Sequence, residues 1–267
     1  MNSNRFARRM NGLDAVGDAQ LDAMVNETRP RIERAMKLLR RPQARVGLVT
    51  SPVGRLLVAE SDRGLVNIHF MTMDGAERTL EKLRRKFELV ENEASVKRVG
   101  AEINRFFEGD QSVMERRVDL SMVESEFQVR ALTTLRSVPS GAVITYQALA
   151  AAVGNPDSQR AIGNTMASNP VPIVVPCHRV IRSDGTIGNY GGGVENKLKL
   201  LRLEGFKVGS DMRLPSRAVM GHRRTHIFCR PDCSAAKRAD SNQVLIFADA
   251  ACAGHAGLRP CKLCRPA

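Results

Sequence analysis

Tryptophan is absent from this chain of 267 residues, and tyrosine occurs only twice. Extensive stacking of bases on aromatic side chains is therefore not the way this protein would hold a nucleic acid. No stretch approaches the roughly 20 consecutive apolar residues needed for a membrane-spanning helix. The opening residues MNSNRFARRMNGLD lack the apolar run of a secretory signal. Internal repeats and low-complexity tracts are also missing, and the length suits one large domain or two smaller ones with a real core. These absences predict an intracellular, cytoplasmic chain with no membrane partner. In that reducing setting the six cysteines, Cys177, Cys229, Cys233, Cys252, Cys261 and Cys264, are expected to be ligands or nucleophiles and not disulfides.

Positive charge is in excess, with a formal balance of +13. Residues 1–45 contribute +5, residues 46–204 only +1, and residues 205–267 a further +7. Basic ends around a nearly neutral middle suit attraction of the flanks to a polyanion. A merely solubilising surface accounts for charge alone equally well.

Along the chain, PRIERAMKLLRR carries Ile32, Met36 and Leu39 at helical spacing beside a basic face, which fits a docked or DNA-facing helix or a frayed extension. From Val46 the pattern turns to strands: VGLVTS, RLLVAE and GLVNIHF, separated by the turn sequences SPVG and SDRG, predict a three-stranded meander. Asp74 stands where a helix N-cap belongs, followed by Ala76, Leu80, Leu83 and Phe87 at helical intervals. A second helix carries Val96, Val99, Ile103 and Phe106, and Gly109 and Asp110 end it. EFQVRALTTLRSV, TYQALAAAV and DSQRAIGNTMAS follow as helices, the last two joined by GNP in a helix-turn-helix arrangement. The stretch FKVGSDMRLPSR has little apolar periodicity and reads as a linker over 207–217.

In PVPIVVPCHRV, three apolar residues run straight into a proline, a cysteine, a histidine and an arginine. The run Ile173–Val175 predicts a buried strand stopped by Pro176, with Cys177 emerging at the edge of a core. Most such cysteines are inert hydrophobes. Here His178 and Arg179, costly to bury, supply the base and positive charge that raise a thiol's anionic fraction. Side chains adjacent on extended backbone point apart, so His178 is expected to reach the sulfur through a water or a turn, with Glu204 of LRLEG as a candidate to orient the imidazole.

The stretch from ITYQALAAAVGNP through PCHRV to GNYGGGVENKLKLLRLEG resembles the catalytic half of the O6-alkylguanine DNA alkyltransferases, whose active-site motif is PCHRV. With the strand-rich first half, the resemblance covers about residues 46–206. It implies an α+β fold: a small ribonuclease-H-like antiparallel sheet with helices at 45–121, a catalytic helix-turn-helix domain at 122–206, and a basic extension at 1–44. It further implies that Cys177 accepts the alkyl group once and permanently, with His178 as base through water and Glu204 holding His178. Double-stranded DNA carrying O6-alkylguanine, and also O4-methylthymine, would be the partner of a monomer. Arg160 would fill the stack vacated by the flipped base, with Tyr146 turning the flanking phosphate, and Ala161 and Gly163 letting the helix approach DNA closely. The recognition helix would enter the minor groove and read little sequence. Asn169 would brace the segment before the cysteine, Val180 would offer its carbonyl to the guanine amine, and Tyr190 and Gly191 would wall the pocket. Relatives often have Ser or Arg at Gly191, which opens the question of alkyl preference, and many have Trp at Leu132, a difference expected to touch packing alone.

FCRPDC and RPCKLC place Cys229 and Cys233 a few tens of residues from Cys261 and Cys264, the spacing of a four-thiolate zinc site. The surrounding words, THIFCRPDC and VLIFADAACAGHAGLRPCKLC, resemble the zinc domain of the bacterial Ada adaptive-response proteins, here at 218–267. That resemblance implies one zinc ion and makes Cys229 a candidate second methyl acceptor from DNA phosphotriesters. A purely structural site and plain DNA binding stand beside that role. Cys252 falls outside both pairs as a spare thiol. A damage-responsive regulator and a Cys-His hydrolase are the rival functions; the first lacks additional helix-turn-helix units of the activator type, the second a separate distant histidine.

Overall fold

Alternation of apolar and polar residues from Val46 to Phe70 builds the first sheet. The computed structural model describes residues 18–39 (18–21 and 33–39 by backbone alone), 41–71, 76–215 and 218–266. The chain divides into two units, residues 1–42 and 43–267. In the first, helix α1 (Asp18–Leu39) contains Pro30 and exposes Met24, Val25 and Ile32. The side chains of Met36 and Leu39, and the N-cap expected at Asp74, lie outside the described residues.

In the second unit, β1 (Gln43–Ser51), β2 (Gly54–Ser61) and β3 (Gly64–Phe70) form the meander, in register from Ser51↔Gly54 and Ser61↔Gly64. Gly64 sits at φ 135°, and a Cβ there would lie 2.3 Å from the Arg117 carbonyl, so only glycine fits this turn. Helix α2 (Ala76–Lys86) leads to β4 (Glu88–Glu91), which adds to β1 in parallel. That fourth strand was not legible in the pattern because it is short and only half-buried. Helix α3 (Glu93–Phe107) lays Val96, Val99, Ile103 and Phe106 on the sheet.

Ser125 caps α4 (Glu126–Arg136), which buries Ala131, Leu132 and Leu135. Next come β5 (Ala142–Thr145), α5 (Tyr146–Ala152) capped by Thr145, and α6 (Gln159–Ala167). Beyond them the strand expected at Ile173–Val175 is corrected. These residues form a turn in which Val175 donates to the Val171 carbonyl at 2.8 Å, and Ile173 is held at φ 74°. A β-branched residue in that region is an outlier that its surroundings must enforce. Complete burial of Val171, Ile173, Val174 and Val175 supplies the enforcement. Apolar runs of this length do not distinguish a buried strand from a buried turn.

Cys177–Arg179 is one 3-10 turn, continued by β6 (Val180–Ile181) parallel to β5, and α7 (Val194–Leu203) follows. The stretch read as a linker is pinned by backbone pairing: Ile187 donates to Met212 and Leu214 donates to Gly185. The cysteine-rich segment then forms β7 (Val219–His222), β8 (Ile227–Cys229), α8 (Ser234–Lys237), β9 (Val244–Phe247), α9 (Ala250–His255) and β10 (Arg259–Pro260). Its strands join those of the preceding module in one sheet of order β10-β8-β7-β9-β5-β6.

Candidate active site and metal centre

Cys177 is 5% exposed, at the floor of a cleft of about 540 Å³. Tyr146, Arg160, Gly163, Tyr190 and Gly191 line the same cleft. The structure thus brings together residues from α5, α6 and the loop before α7. Arg160 and Ala161 are exposed on α6, and a Cβ on Gly163 would meet open space, so this face leaves room for a large ligand.

Asn169 connects the turn to the sulfur. Its Nδ2 donates to the Val175 carbonyl at 2.8 Å and to Cys177 Sγ at 3.1 Å, while its Oδ1 accepts from the Val171 N–H. Burial pushes the Cys177 thiol up, and the Asn169 amide, the Lys197 ammonium and the Tyr190 hydroxyl pull it back only in part. The resting sulfur is therefore a thiol that needs a base.

His178, the base expected from the sequence, is adjacent along the chain and makes no hydrogen bond to the sulfur. His178 is fully buried, with Nε2 3.1 Å from Glu204 Oε1. Burial opposes charge on Glu204, but His178 and Arg179 outweigh it and hold the carboxyl at about 2. An ionised carboxylate only accepts hydrogen bonds, so His178 donates through Nε2. Burial lowers the His178 pKa, leaving a neutral ring whose Nδ1 has no protein partner and is free to accept a proton.

The expectation that His178 and Arg179 avoid the core is corrected, since Arg179 is only 2% exposed. Glu204 offsets the cost: Arg179 Nε and Nη2 donate to its carboxylate at 3.0 and 2.6 Å, and Nη1 donates to the Val138 carbonyl at 2.6 Å. Arg179 therefore anchors the carboxylate and is not the cation serving the sulfur. Lys197 takes that place, and it was missed in the sequence although it shares the buried stripe of α7 with Leu200 and Leu201. Its Nζ donates to the Val180 carbonyl at 2.7 Å, and burial lowers its pKa to about 8. The Val180 carbonyl keeps one lone pair for another donor.

Also missed were His69 and Phe70 of β3. They line a smaller cavity of about 150 Å³ that also reaches Cys177, beside Pro172 and Gly192, and shares Tyr190 and Gly191 with the larger cleft. Phe70 meets Tyr190 edge-on at 5.8 Å between ring centroids.

In the C-terminal module the sulfurs of Cys229, Cys233, Cys261 and Cys264 all lie within 4.8 Å of one another. A tetrahedron of Zn–S bonds near 2.3 Å needs sulfurs about 3.8 Å apart, so the cluster fits a four-cysteine zinc site. Burial, then the neighbouring thiols, push the Cys229 thiol up, a conflict that a dication removes. The Arg230 N–H donates to Cys264 at 3.4 Å, the kind of outer contact that orients a ligand. Cys252 lies outside the cluster and packs near Gly141 and Gly205.

Three family descriptions match successive parts of the chain. Residues 44–120 match the ribonuclease-like domain of 6-O-methylguanine DNA methyltransferase, 126–206 its DNA binding domain, and 208–267 the metal binding domain of Ada. The methylated-DNA–protein-cysteine methyltransferase of Methanosarcina acetivorans is 34% identical over 159 residues, covering 58% of this chain and 94% of that protein. The bifunctional transcriptional activator/DNA repair enzyme Ada of Escherichia coli is 34% identical over 60% of this chain, which spans only 45% of that relative. The crystal structure of Mycobacterium tuberculosis OGT-R37K superposes with a TM-score of 0.52 at 28% identity, covering 64% of this chain and 98% of the other. With the cysteine cleft, the His178–Glu204 pair and these relatives in agreement, the chain belongs to the methylated-DNA–protein-cysteine methyltransferase family.

Proposed function

We propose that the protein repairs DNA by moving one alkyl group from the O6 oxygen of guanine, or the O4 oxygen of thymine, to Cys177, and is spent in doing so. The observation that carries this reading is the sulfur at the floor of a cleft whose wall is the α6 face bearing Arg160, with the His178–Glu204 pair behind it. A water passes the thiol proton to His178 Nδ1. The sulfur attacks the alkyl carbon, the C–O bond breaks, and its electron pair stays on the guanine. A proton returns to the purine from the Tyr146 side, and solvent restores both groups. The C–S bond that remains is a thioether, which water does not cleave. The protein works as a monomer in the cytoplasm, drawn to DNA by its basic flanks.

Incubation with a duplex holding one O6-methylguanine, followed by peptide mass mapping, tests this. A methyl on the Cys177 peptide is expected; continuous turnover with no modified peptide would reveal a hydrolase, and binding without modification a pure DNA reader. A second reading rests on Cys229, which lines its own cavity of about 290 Å³ beside His222 and Arg238. The same map with DNA methylated on its phosphates puts a methyl on the Cys229 peptide if that thiolate is an acceptor, and leaves it bare if the site is structural or only binds DNA.

Two further outcomes follow from the geometry. Extruding a base costs a few kcal/mol, so Arg160→Ala should slow transfer from duplex DNA about 10- to 100-fold and slow it far less on single strands. The Lys197 cation favours the thiolate and is lost as pH rises through about 8, so the transfer rate should fall on that alkaline side. In Lys197→Met the alkaline fall should vanish and the plateau should drop, which single-turnover rates across pH would read directly.

A further inference from the structure

The two modules share a ladder. Cys229 pairs with Met220, Met220 pairs with Ile246, and Ile246 pairs with Val143, so one row crosses β8, β7, β9 and β5. Ile144, next to Val143, pairs with Val180, which directly follows the Cys177–Arg179 turn. At about 4.8 Å per strand, a zinc ligand stands some 15 Å from β5 through nothing but hydrogen-bonded backbone.

The corner that carries Glu204 is packed from the same side. The Ala248 N–H donates to the Gly141 carbonyl at 3.0 Å. A Cβ built on Gly141 would lie 2.9 Å from Cys252 Sγ and 3.6 Å from the Glu204 carbonyl, and one on Gly205 would lie 3.6 Å from Ala248 Cβ. At Gly141, with φ 74°, a side chain would collide with Cys252, so the absent Cβ lets the metal module approach there; Gly205, at φ 89°, follows the C-terminal cap of α7 in ordinary contact with Ala248. Val138, whose carbonyl receives Arg179, begins the loop that leads into this corner. The Glu204 carboxylate, which fixes His178 and Arg179, therefore hangs from backbone that the C-terminal module covers.

We propose that the zinc module is a positioning element of the Cys177 site: metal binding by the four cysteines holds β9 and α9 in register against β5 and Gly205, and so sets the His178–Glu204 pair. A segment of about fifty residues has too small a core to hold its shape without the metal. Its loss would strip the β9 pairing from Ala142 and Val143, turn β5 into an edge strand held by β6 alone, and loosen the corner beneath Glu204. The proposal rests on alkyl transfer to Cys177 as the function.

The test uses the full chain in four states: zinc-loaded, stripped by chelator, reloaded with zinc, and loaded Ala248→Asp, which places a charge in the buried contact far from the ligands. Amide hydrogen exchange and single-turnover transfer at saturating O6-methylguanine duplex are measured on each. Stripping is expected to cost residues 142–145 about tenfold or more in protection while 55–60 of the first sheet hold theirs, to slow the limiting transfer rate at least tenfold without a matching change in half-saturating DNA, and to be reversed by zinc. Ala248→Asp should retain one zinc and protected 227–229, yet show the same slow transfer. Unchanged exchange at 142–145 after stripping, or a loss confined to DNA affinity, would overturn the proposal. A zinc-loaded chain that transfers nothing would instead sink the repair function, with the exchange data still deciding the coupling.

Discussion

Cys177→Ser is expected to abolish alkyl transfer while leaving the fold unchanged. The serine hydroxyl occupies slightly less volume at a site only 5% exposed and still accepts from the Asn169 amide, so packing and the hydrogen bond both survive. The chemistry does not survive. A buried thiol already sits above its ordinary pKa and depends on Asn169, Lys197 and Tyr190 to ionise at all. An alcohol is a far weaker acid, and its oxygen is a poorer nucleophile toward saturated carbon. A fall of roughly 10⁴-fold or more in single-turnover rate is expected from a nucleophile-removing change of this kind, with the melting temperature shifted by no more than ~2 °C. Transfer persisting in the variant, seen with a labelled methyl group, would mean that another atom accepts it.

Glu204→Gln should damage stability and activity together. Glu204 is buried with Arg179 and His178 as its partners. Removing its charge leaves a guanidinium in the core without a counter-ion, a change that typically costs 3–5 kcal/mol, or roughly 10 °C in melting temperature for a domain of this size. Transfer falls as well, since a neutral amide no longer fixes the tautomer that leaves Nδ1 of His178 open. The same pair gives the wild type an acid limit. The folded carboxyl at about 2 lies below its ordinary 4.5, so the stabilisation is complete above 4.5 and fades as pH falls toward 2. Its size is about 3 kcal/mol from the linkage of pKa to stability. Denaturant titrations at pH 7 and pH 3 should therefore differ more in the wild type than in Glu204→Gln. Equal differences would show that Glu204 is not held ionised in the fold.

Much of this site was legible because its chemistry is local. Cys177 and His178 are neighbours, and Asn169 and Val175 stand 8 and 2 residues before the cysteine, so one contiguous segment carries the sulfur and its brace. The two cysteine pairs were legible for the same reason: metal geometry restricts ligand spacing within each pair. The meander and the helices of the first half showed themselves through periods of two and 3.6, which burial of one face imposes on any sequence.

Other features had no local signature. Arg179 looked like a cation for the thiol because sequence adjacency does not reveal direction, and a single 3-10 turn sends it to Glu204 instead. Lys197 was not singled out in the sequence, although its place among the apolar residues of VENKLKLLRL was a signal. The strand expected at Ile173–Val175 failed because an apolar run reports burial and not backbone conformation.

By itself, then, the amino-acid order picked out the Cys177 segment and the four sulfurs that come together in the C-terminal module, since both depend on residues near one another along the chain. Only tertiary structure decided where each charge points, which turn the core forces on Ile173, and that β9 of the metal module pairs with β5 beside the active site. Contacts of that kind depend on distant segments meeting in register, and the free energy that selects them comes from burial shared across the whole molecule.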